Sequence, residues 1–273
     1  AYAGNIFDYT VDFKTGEIHE EGIVVPLGKD IVLPRNSTEG DSHYANKNLS
    51  LEFRLEGRKR ILSVDWPGFH DGRGIEARIS LLEPEKHESM NIVIPIGSKR
   101  FYYNRKINCL PASGQIKYGS NIEDLSPDNS SGSLDWGRGV WEYSSFWKWA
   151  SASGFLEDGR TIGLNMGGGF GDTSKASENA FILDGILHKL DQVKIDYSPE
   201  NYLAPWHFTD NENRLDLEFI PFTERVAETR LVIIDSEVHQ IFGRYSGFLT
   251  SDDGERIEIK GLIGFAEDHK ARW

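Results

Sequence analysis

The stretch Leu49-Ser50-Leu51-Glu52-Phe53-Arg54-Leu55-Glu56 alternates apolar and polar side chains without a break, the pattern of an extended strand with one face buried and the other wet. The same period of two recurs at Leu62-Val64-Trp66, Ile75-Ala77-Ile79-Leu81, Phe181-Leu183, Val193-Ile195-Tyr197, Leu215-Leu217-Phe219, and Ile257-Ile259 followed by Leu262. Asp71-Gly72, Asp158-Gly159, Asp184-Gly185 and Asp253-Gly254 punctuate these runs with residues that tolerate positive φ, so neighbouring strands are expected to pair as antiparallel hairpins. Helical signal is confined to Thr173–Ala180 and Thr223–Thr229, too short for an alternating βαβ fold. Short strands joined by hairpins must close or stack to protect their edges. The expected fold is all-β and antiparallel, with two lipocalin-like β-barrels or half-barrels packed together.

The 273 residues include 38% AVILMFWYC and 28 Gly, a globular composition that excludes disorder and allows one core near its practical size limit or two smaller ones. The polar, Gly- and Pro-containing stretch Pro111–Ser133 is the natural boundary, giving domains at 1–112 and 113–273. The opening Ala1-Tyr2-Ala3-Gly4 lacks an initiator Met, which suggests that an upstream segment is absent. A formal charge of −13 makes nucleic acid and anionic membranes poor partners. The most apolar runs, Ile92–Ile96 and Leu231–Ile234, are strand-sized, so no bilayer-spanning helix is expected. The lone Cys109 excludes an internal disulfide framework and a Cys-cluster zinc site. A soluble, cytoplasmic protein is favoured, with its oligomeric state left open.

Chemistry-bearing residues gather after this boundary. Asp135-Trp136-Gly137-Arg138-Gly139-Val140-Trp141 sets a carboxylate three residues from a guanidinium, among glycines that permit close backbone approach. Asp135 is the first candidate for proton transfer, oriented by Arg138, while structural pairing is the commoner fate of such a couple. Trp147 and Trp149 share one strand face opposite Lys148; on a barrel's inner face they line a cavity, and otherwise they are core. Gly167-Gly168-Gly169-Phe170-Gly171-Asp172 lacks the Lys-Ser/Thr ending of a phosphate loop and reads as a strand-end bend. Asn165, Glu178 and Asn179 are polar candidates nearby, with loop anchoring the plainer role. His188, His207, His239 and His269 sit on separate strands without the short spacing of a metal centre, so no metal is expected. His239, Gln240 and Arg244 lie on a strand whose polar row needs solvent or a ligand for company. Glu267 and His269 face together and are the second candidate for proton chemistry.

Asp135-Trp136-Gly137-Arg138-Gly139, Trp147-Lys148-Trp149-Ala150, Ile162-Gly163-Leu164-Asn165-Met166-Gly167, Glu178-Asn179, His188-Lys189-Leu190, Pro205-Trp206, Gln240-Ile241-Phe242-Gly243-Arg244 and Gly264-Phe265-Ala266-Glu267-Asp268-His269 together resemble a bacterial and fungal family, the domain of unknown function DUF2804, along essentially the whole chain. More distantly, the Asp motif, the Trp-x-Trp strand and the Asp-Gly hairpin resemble the carotenoid 1,2-hydratase and AttH-like proteins, a likeness that implies two lipocalin-like barrels and relatives that include Diels–Alderases. By that resemblance Asp135 matches the Asp of an Asp-His motif, and Trp147 and Trp149 match a Trp-Asp-Trp strand. Trp136 stands in the place of the His and Lys148 in the place of the second acid.

Three functions fit this reading. One is a cofactor-free hydratase, isomerase or cyclase acting on a small, largely apolar molecule bound between or inside the barrels. Another is a non-catalytic carrier of a lipid or terpenoid, an apolar or amphipathic ligand held by the same walls. A third is carbohydrate binding or glycoside processing, which needs two carboxylates facing each other.

Overall fold

The computed structural model describes residues 3–230 and 235–272; the apolar run Leu231–Ile234 noted above, and Ala1 and Tyr2, lie outside the described residues. Apart from one four-residue helical turn, α1 (Phe69–Gly72), the named elements are strands, and their pairing is antiparallel. The expected all-β, lipocalin-like architecture is therefore what the chain adopts. It forms two compact units, Ala1–Glu85 with Leu110–Gly132, and Lys86–Cys109 with Ser133–Trp273. No helix of the described residues is long and apolar enough to cross a membrane.

The first unit starts with a hairpin of β1 (Ala3–Val11) and β2 (Ile18–Pro26). It continues through β3 (Ser42–Ala45), β4 (Ser50–Glu56), β5 (Lys59–Trp66) and, after α1, β6 (Ile75–Leu82), each paired with the next. Leu51 and Val64 stand opposite each other on the face that Leu49, Trp66, Phe69 and Ile75 bury, with Ile6 and Ile23 of the hairpin packed against it. From Ser50 on, the quoted period-two run is β4, with Leu51 and Leu55 half-buried and Phe53 exposed.

A second short hairpin, β7 (Met90–Ile96), pairs with the start of the long β8 (Arg100–Tyr118), while the end of β8 pairs with β6 and with β9 (Asn121–Leu125). β10 (Ser131–Val140) is the other neighbour of β8. The unit boundary falls inside β8 and β10, where a single sequential cut was expected near residue 112. The polar stretch Pro111–Ser133 is ordered sheet and turn rather than a linker: its Ser, Asp and Asn residues close the turn between β9 and β10, where the amides of Asn129 and Ser130 both bond the Ser126 carbonyl.

The second unit is dominated by one nine-stranded sheet. Its strands are β11 (Ser144–Phe155), β12 (Thr161–Gly168), β13 (Ala180–Leu183), β14 (Ile186–Lys189), β15 (Val193–Asp196), β16 (Trp206–Asp210), β17 (Leu215–Arg230), β18 (Asp235–Thr250) and β19 (Arg256–Arg272). Their spatial order is β14-β13-β12-β11-β19-β18-β17-β16-β15, so strands adjacent in sequence at the two ends curl toward each other. The concave face is filled by Phe181, Trp206, Phe208, Phe219 and Tyr245, with Ile162, Leu164, Leu217 and Ile241 between them. Opposite these large rings, β11 and β19 present Ala150, Ala152 and Ala266, which leaves room for the aromatics. Neither short helix expected from sequence forms. Thr223–Thr229 lies within β17, just past a register shift between Pro221 and Thr223, and Thr173–Asn179 is turn and loop leading into β13 at Ala180.

Candidate functional site: an aromatic cavity around a buried acid

Parity along β11 decides where the tryptophans point. Ala150 and Ala152 occupy the concave core, so Trp147 and Trp149, odd-numbered neighbours, project from the sheet's outer face. The inner face is already packed with rings, which corrects the expectation of a cavity inside the curled sheet. On the outer face Trp149 stands between Gly167 of β12 and Glu267 of β19, and Glu267 in turn pairs with Gln240 of β18. The β8 segment lies over this face: Asn108 donates through Nδ2 to Ser151 Oγ (3.0 Å) and to the carbonyls of Ala152 and Leu164 (3.1 and 3.2 Å).

Where this layer stands off from the sheet, a cavity of about 240 Å³ opens, lined by Ile94, Tyr102, Trp141, Trp147, Trp149 and Phe170 on its apolar side and by Lys106, Asp135, Glu178 and Glu267 on its charged side. All belong to the second unit. The rings brace one another edge to face: Tyr102 with Phe170 at 5.1 Å, Trp147 with Phe170 at 5.5 Å, and Tyr102 with Trp141 at 5.9 Å between centroids. Each such pair adds about 1 kcal/mol beyond area burial and fixes ring orientation.

Lys106, 5% exposed, is the centre of the charged side. Its Nζ lies 3.0 Å from Glu178 Oε2, 3.4 Å from Asp135 Oδ2 and 3.6 Å from the Trp149 ring centroid. A desolvated ammonium needs such compensation, from two carboxylates and a π face. Asp135 is held from the other side by Asn104, which donates Nδ2–H to Asp135 Oδ1 and to the Tyr102 hydroxyl, each at 2.6 Å. Two glycines make the cluster possible. A Cβ on Gly137 would lie 2.7 Å from the Tyr102 hydroxyl, and one on Gly167 would lie 2.3 Å from Glu178 Oε1.

Glu267 stands apart from that ion cluster in its chemistry. It is 6% exposed; Trp147 Nε1–H donates to Oε1 at 2.9 Å and Gln240 Nε2–H to Oε2 at 3.3 Å. Burial pushes its acid dissociation up to about 7, against the opposing pull of the Trp147 hydrogen bond and the Lys106 charge. At neutral pH a substantial share of Glu267 is therefore a carboxylic acid facing an apolar cavity. Next to it, His269 packs under Trp147 at 4.0 Å between ring centroids and bonds Ser236 Oγ through Nε2 at 2.8 Å. Burial pushes its titration down to about 4, so it is neutral at pH 7.

The family model for a domain of unknown function, DUF2804, matches residues 1–273. The chain belongs to the DUF2804 family. No match is found among curated protein sequences. Among solved structures, the Nitrosomonas europaea AttH candidate NE1406 is 14% identical with a TM-score of 0.55, over 98% of this chain and 81% of that one. At that identity the likeness shows a common fold alone. CghA with Sch210972 is 9% identical with a TM-score of 0.47, and CghA without it is 8% identical with a TM-score of 0.48; each match covers 94% of this chain and 76% of the other.

In this DUF2804 chain, Asp135, Trp141, Trp147, Trp149, Glu178 and Glu267 line one cavity. Asn165 and Gln240 stand directly behind it: Asn165 Oδ1 accepts from Trp149 Nε1 at 2.8 Å. Three residues along the extended strand from Asp135 to Arg138 reverse the side-chain direction, and Asn104 and Lys106 hold the Asp135 carboxylate. Trp136 faces away likewise, packing on Tyr103 at 5.8 Å. Asn179 is a loop anchor, accepting from the Gly167 amide at 2.8 Å and donating to the Asp191 carbonyl at 2.9 Å. His239 lies on the opposite face of β18 from Gln240, bonded to Glu224 at 2.6 Å and stacked on Tyr202. Arg244 is exposed, 3.3 Å from the Gly261 carbonyl. Among the described residues no group of three or more His, Cys, Asp and Glu is placed to hold a metal ion.

Sequence reasoning missed Ile94, Tyr102, Asn104 and Lys106. Their signal was the polar spacing Tyr102, Asn104, Lys106, Asn108 on one face of a strand otherwise rich in apolar residues, a row that burial makes costly without partners.

Proposed function

We propose that this protein binds a small, largely apolar, unsaturated molecule in the Trp-lined cavity and catalyses its acid-assisted hydration, isomerisation or cyclisation, with Glu267 as the proton donor. The observation that carries this reading is the juxtaposition of one buried acid, partly protonated at neutral pH, with a cage of aromatic rings. The Glu267 proton adds to one carbon of a double bond, and the π electrons form the new C–H bond, leaving a cation on the other carbon. The face of Trp147 and the one formal negative charge that Asp135 and Glu178 together leave over after pairing with Lys106 offset that positive charge. Attack by water and loss of one of its protons gives hydration, loss of a neighbouring proton gives isomerisation, and attack by a second double bond followed by proton loss from the cation so formed gives cyclisation; in each case the Glu267 carboxylate takes the released proton back. Asp135 takes an acceptor's part, since both groups that hold it are hydrogen-bond donors. Glycoside processing is less well supported, because Asp135 and Glu178 are both committed to Lys106.

The test is incubation with a panel of monoterpene and sesquiterpene alkenes and enones in D₂O, followed by mass spectrometry. The expected result is one deuterium per product molecule, with the rate falling at least about 100-fold in Glu267→Gln. Undiminished turnover in that variant contradicts the assignment. Retention of a panel member without deuterium uptake favours a carrier.

A further inference from the structure

We infer that the ligand carries a hydrogen-bond-accepting oxygen and that Tyr102 docks it. This rests on the cavity reading above and narrows its substrate class from hydrocarbons to oxygenated molecules such as enones. The argument is one of donors and acceptors. Asn104 is fully buried and its side-chain nitrogen meets both Asp135 Oδ1 and the Tyr102 hydroxyl. The opposite amide orientation would set a carbonyl oxygen 2.6 Å from a carboxylate oxygen, which is repulsive, so Asp135 fixes the NH₂ group on this side. An NH₂ group only donates. The Tyr102 oxygen therefore accepts from Asn104, and its own proton must go elsewhere.

The hydrogen bonds of Tyr102 among the described residues give that proton no acceptor. Tyr102 lines the cavity, and its hydroxyl sits at the end where Asp135 and Lys106 meet. A half-buried O–H without an acceptor in the protein is left to water, and a ligand that displaces that water completes the bond only if it brings an oxygen of its own. Burial and the neighbouring carboxylates hold the phenol far above its ordinary range, so it remains a donor at every working pH. Lys106, with both carboxylates and an indole around it, has its charge already matched, which leaves Tyr102 as the directional contact.

The experiment compares two probes of nearly the same shape, 2-acetylnaphthalene, whose carbonyl accepts, and 2-isopropenylnaphthalene, whose CH₂ does not, by calorimetry on the intact protein and on Tyr102→Phe. The ketone is expected to bind about two- to tenfold tighter than the alkene to the native protein, the range for one net hydrogen bond. Tyr102→Phe is expected to abolish the preference, and a native-like thermal unfolding transition reports that the variant is folded. Equal affinities in the native protein, or a preference that survives in Tyr102→Phe, overturn this inference and leave the cavity reading standing. Failure of both probes to bind the native protein overturns the cavity reading itself. On the native protein alone, infrared spectra of the bound carbonyl-labelled ketone are expected to show a stretch below its value in alkane solvent; an unshifted band also overturns the inference.

Discussion

Trp147 and Glu267 lie 120 residues apart in the chain and are joined by an indole N–H donating to a carboxyl oxygen at 2.9 Å. The β11–β19 register sets this contact: Trp147 opposes His269 and Trp149 opposes Glu267, so the bond runs diagonally between neighbouring rungs of one face. It ties the cavity's aromatic wall to its acid. Because the indole stabilises the ionised form of Glu267, Trp147→Phe is expected to move the Glu267 midpoint upward by about one to two pH units, the value of a hydrogen bond to a charged group. Carbon-13 NMR of the glutamate carboxyl carbon reads this directly; an unmoved midpoint would show that the indole does not stabilise the ionised carboxylate.

Glu267 and His269 leave opposite marks on stability. Glu267 titrates near 4.5 when unfolded and near 7 when folded, so the folded state holds the extra proton between those values and its stability falls as pH rises through that window. His269 titrates near 6.5 unfolded and near 4 folded, so its contribution is lost as pH falls through its window. Between pH 4.5 and 6.5 the two slopes oppose each other. Glu267→Gln removes one of them. Relative to the native protein, the variant is expected to gain about 3 kcal/mol on going from pH 4.5 to 7 and then level off. Urea unfolding at stepped pH checks this, and a pH-independent difference would contradict it.

Lys106→Met is expected to cost about 3 kcal/mol, because it leaves the Glu178 and Asp135 carboxylates without their shared cation. Adding Asp135→Asn and Glu178→Gln should return most of that loss, since the cost lies in the uncompensated charge rather than in the missing stem. Additive losses across the three substitutions, measured by denaturant midpoints, would contradict the ion cluster.

Gly167→Ala places a methyl group against Glu178 Oε1, where an ideal Cβ lies 2.3 Å away. The carboxylate must move, and a destabilisation of about 1 to 3 kcal/mol is expected from overpacking. Gly168→Ala, with nothing within 4 Å of its Cβ, is the matched control and should cost less than about 1 kcal/mol. Equal effects at the two positions in thermal unfolding would show that the Glu178 contact is not what excludes a side chain.

The strands were legible because burial on one face writes itself as period two: Leu51 to Leu55 fall in β4, and the Asp-Gly pairs at 158, 184 and 253 close hairpins between β11 and β12, β13 and β14, and β18 and β19. Periodicity says which residues share a face but not which face is concave. Trp147 and Trp149 were correctly paired, yet Ala150 and Ala152 revealed their direction only once Trp206, Phe208 and Tyr245 were seen to fill the opposite side. Asp135 and Arg138 look adjacent in sequence and diverge on a strand, whereas Lys106, 29 residues upstream of Asp135, reaches it through the placement of β8. Long-range pairing of that kind has no local signature, so the cluster's central cation was not visible in the chain.

The most direct measurement is the carbon-13 titration of the Glu267 carboxyl in the native protein, assigned by its loss in Glu267→Gln. A midpoint near 7, rising further when 2-acetylnaphthalene fills the cavity and excludes water, is the predicted result. A midpoint near the ordinary value for glutamate, unmoved by the ketone, would mean that no acid stands ready in this cavity and would contradict the proposed chemistry.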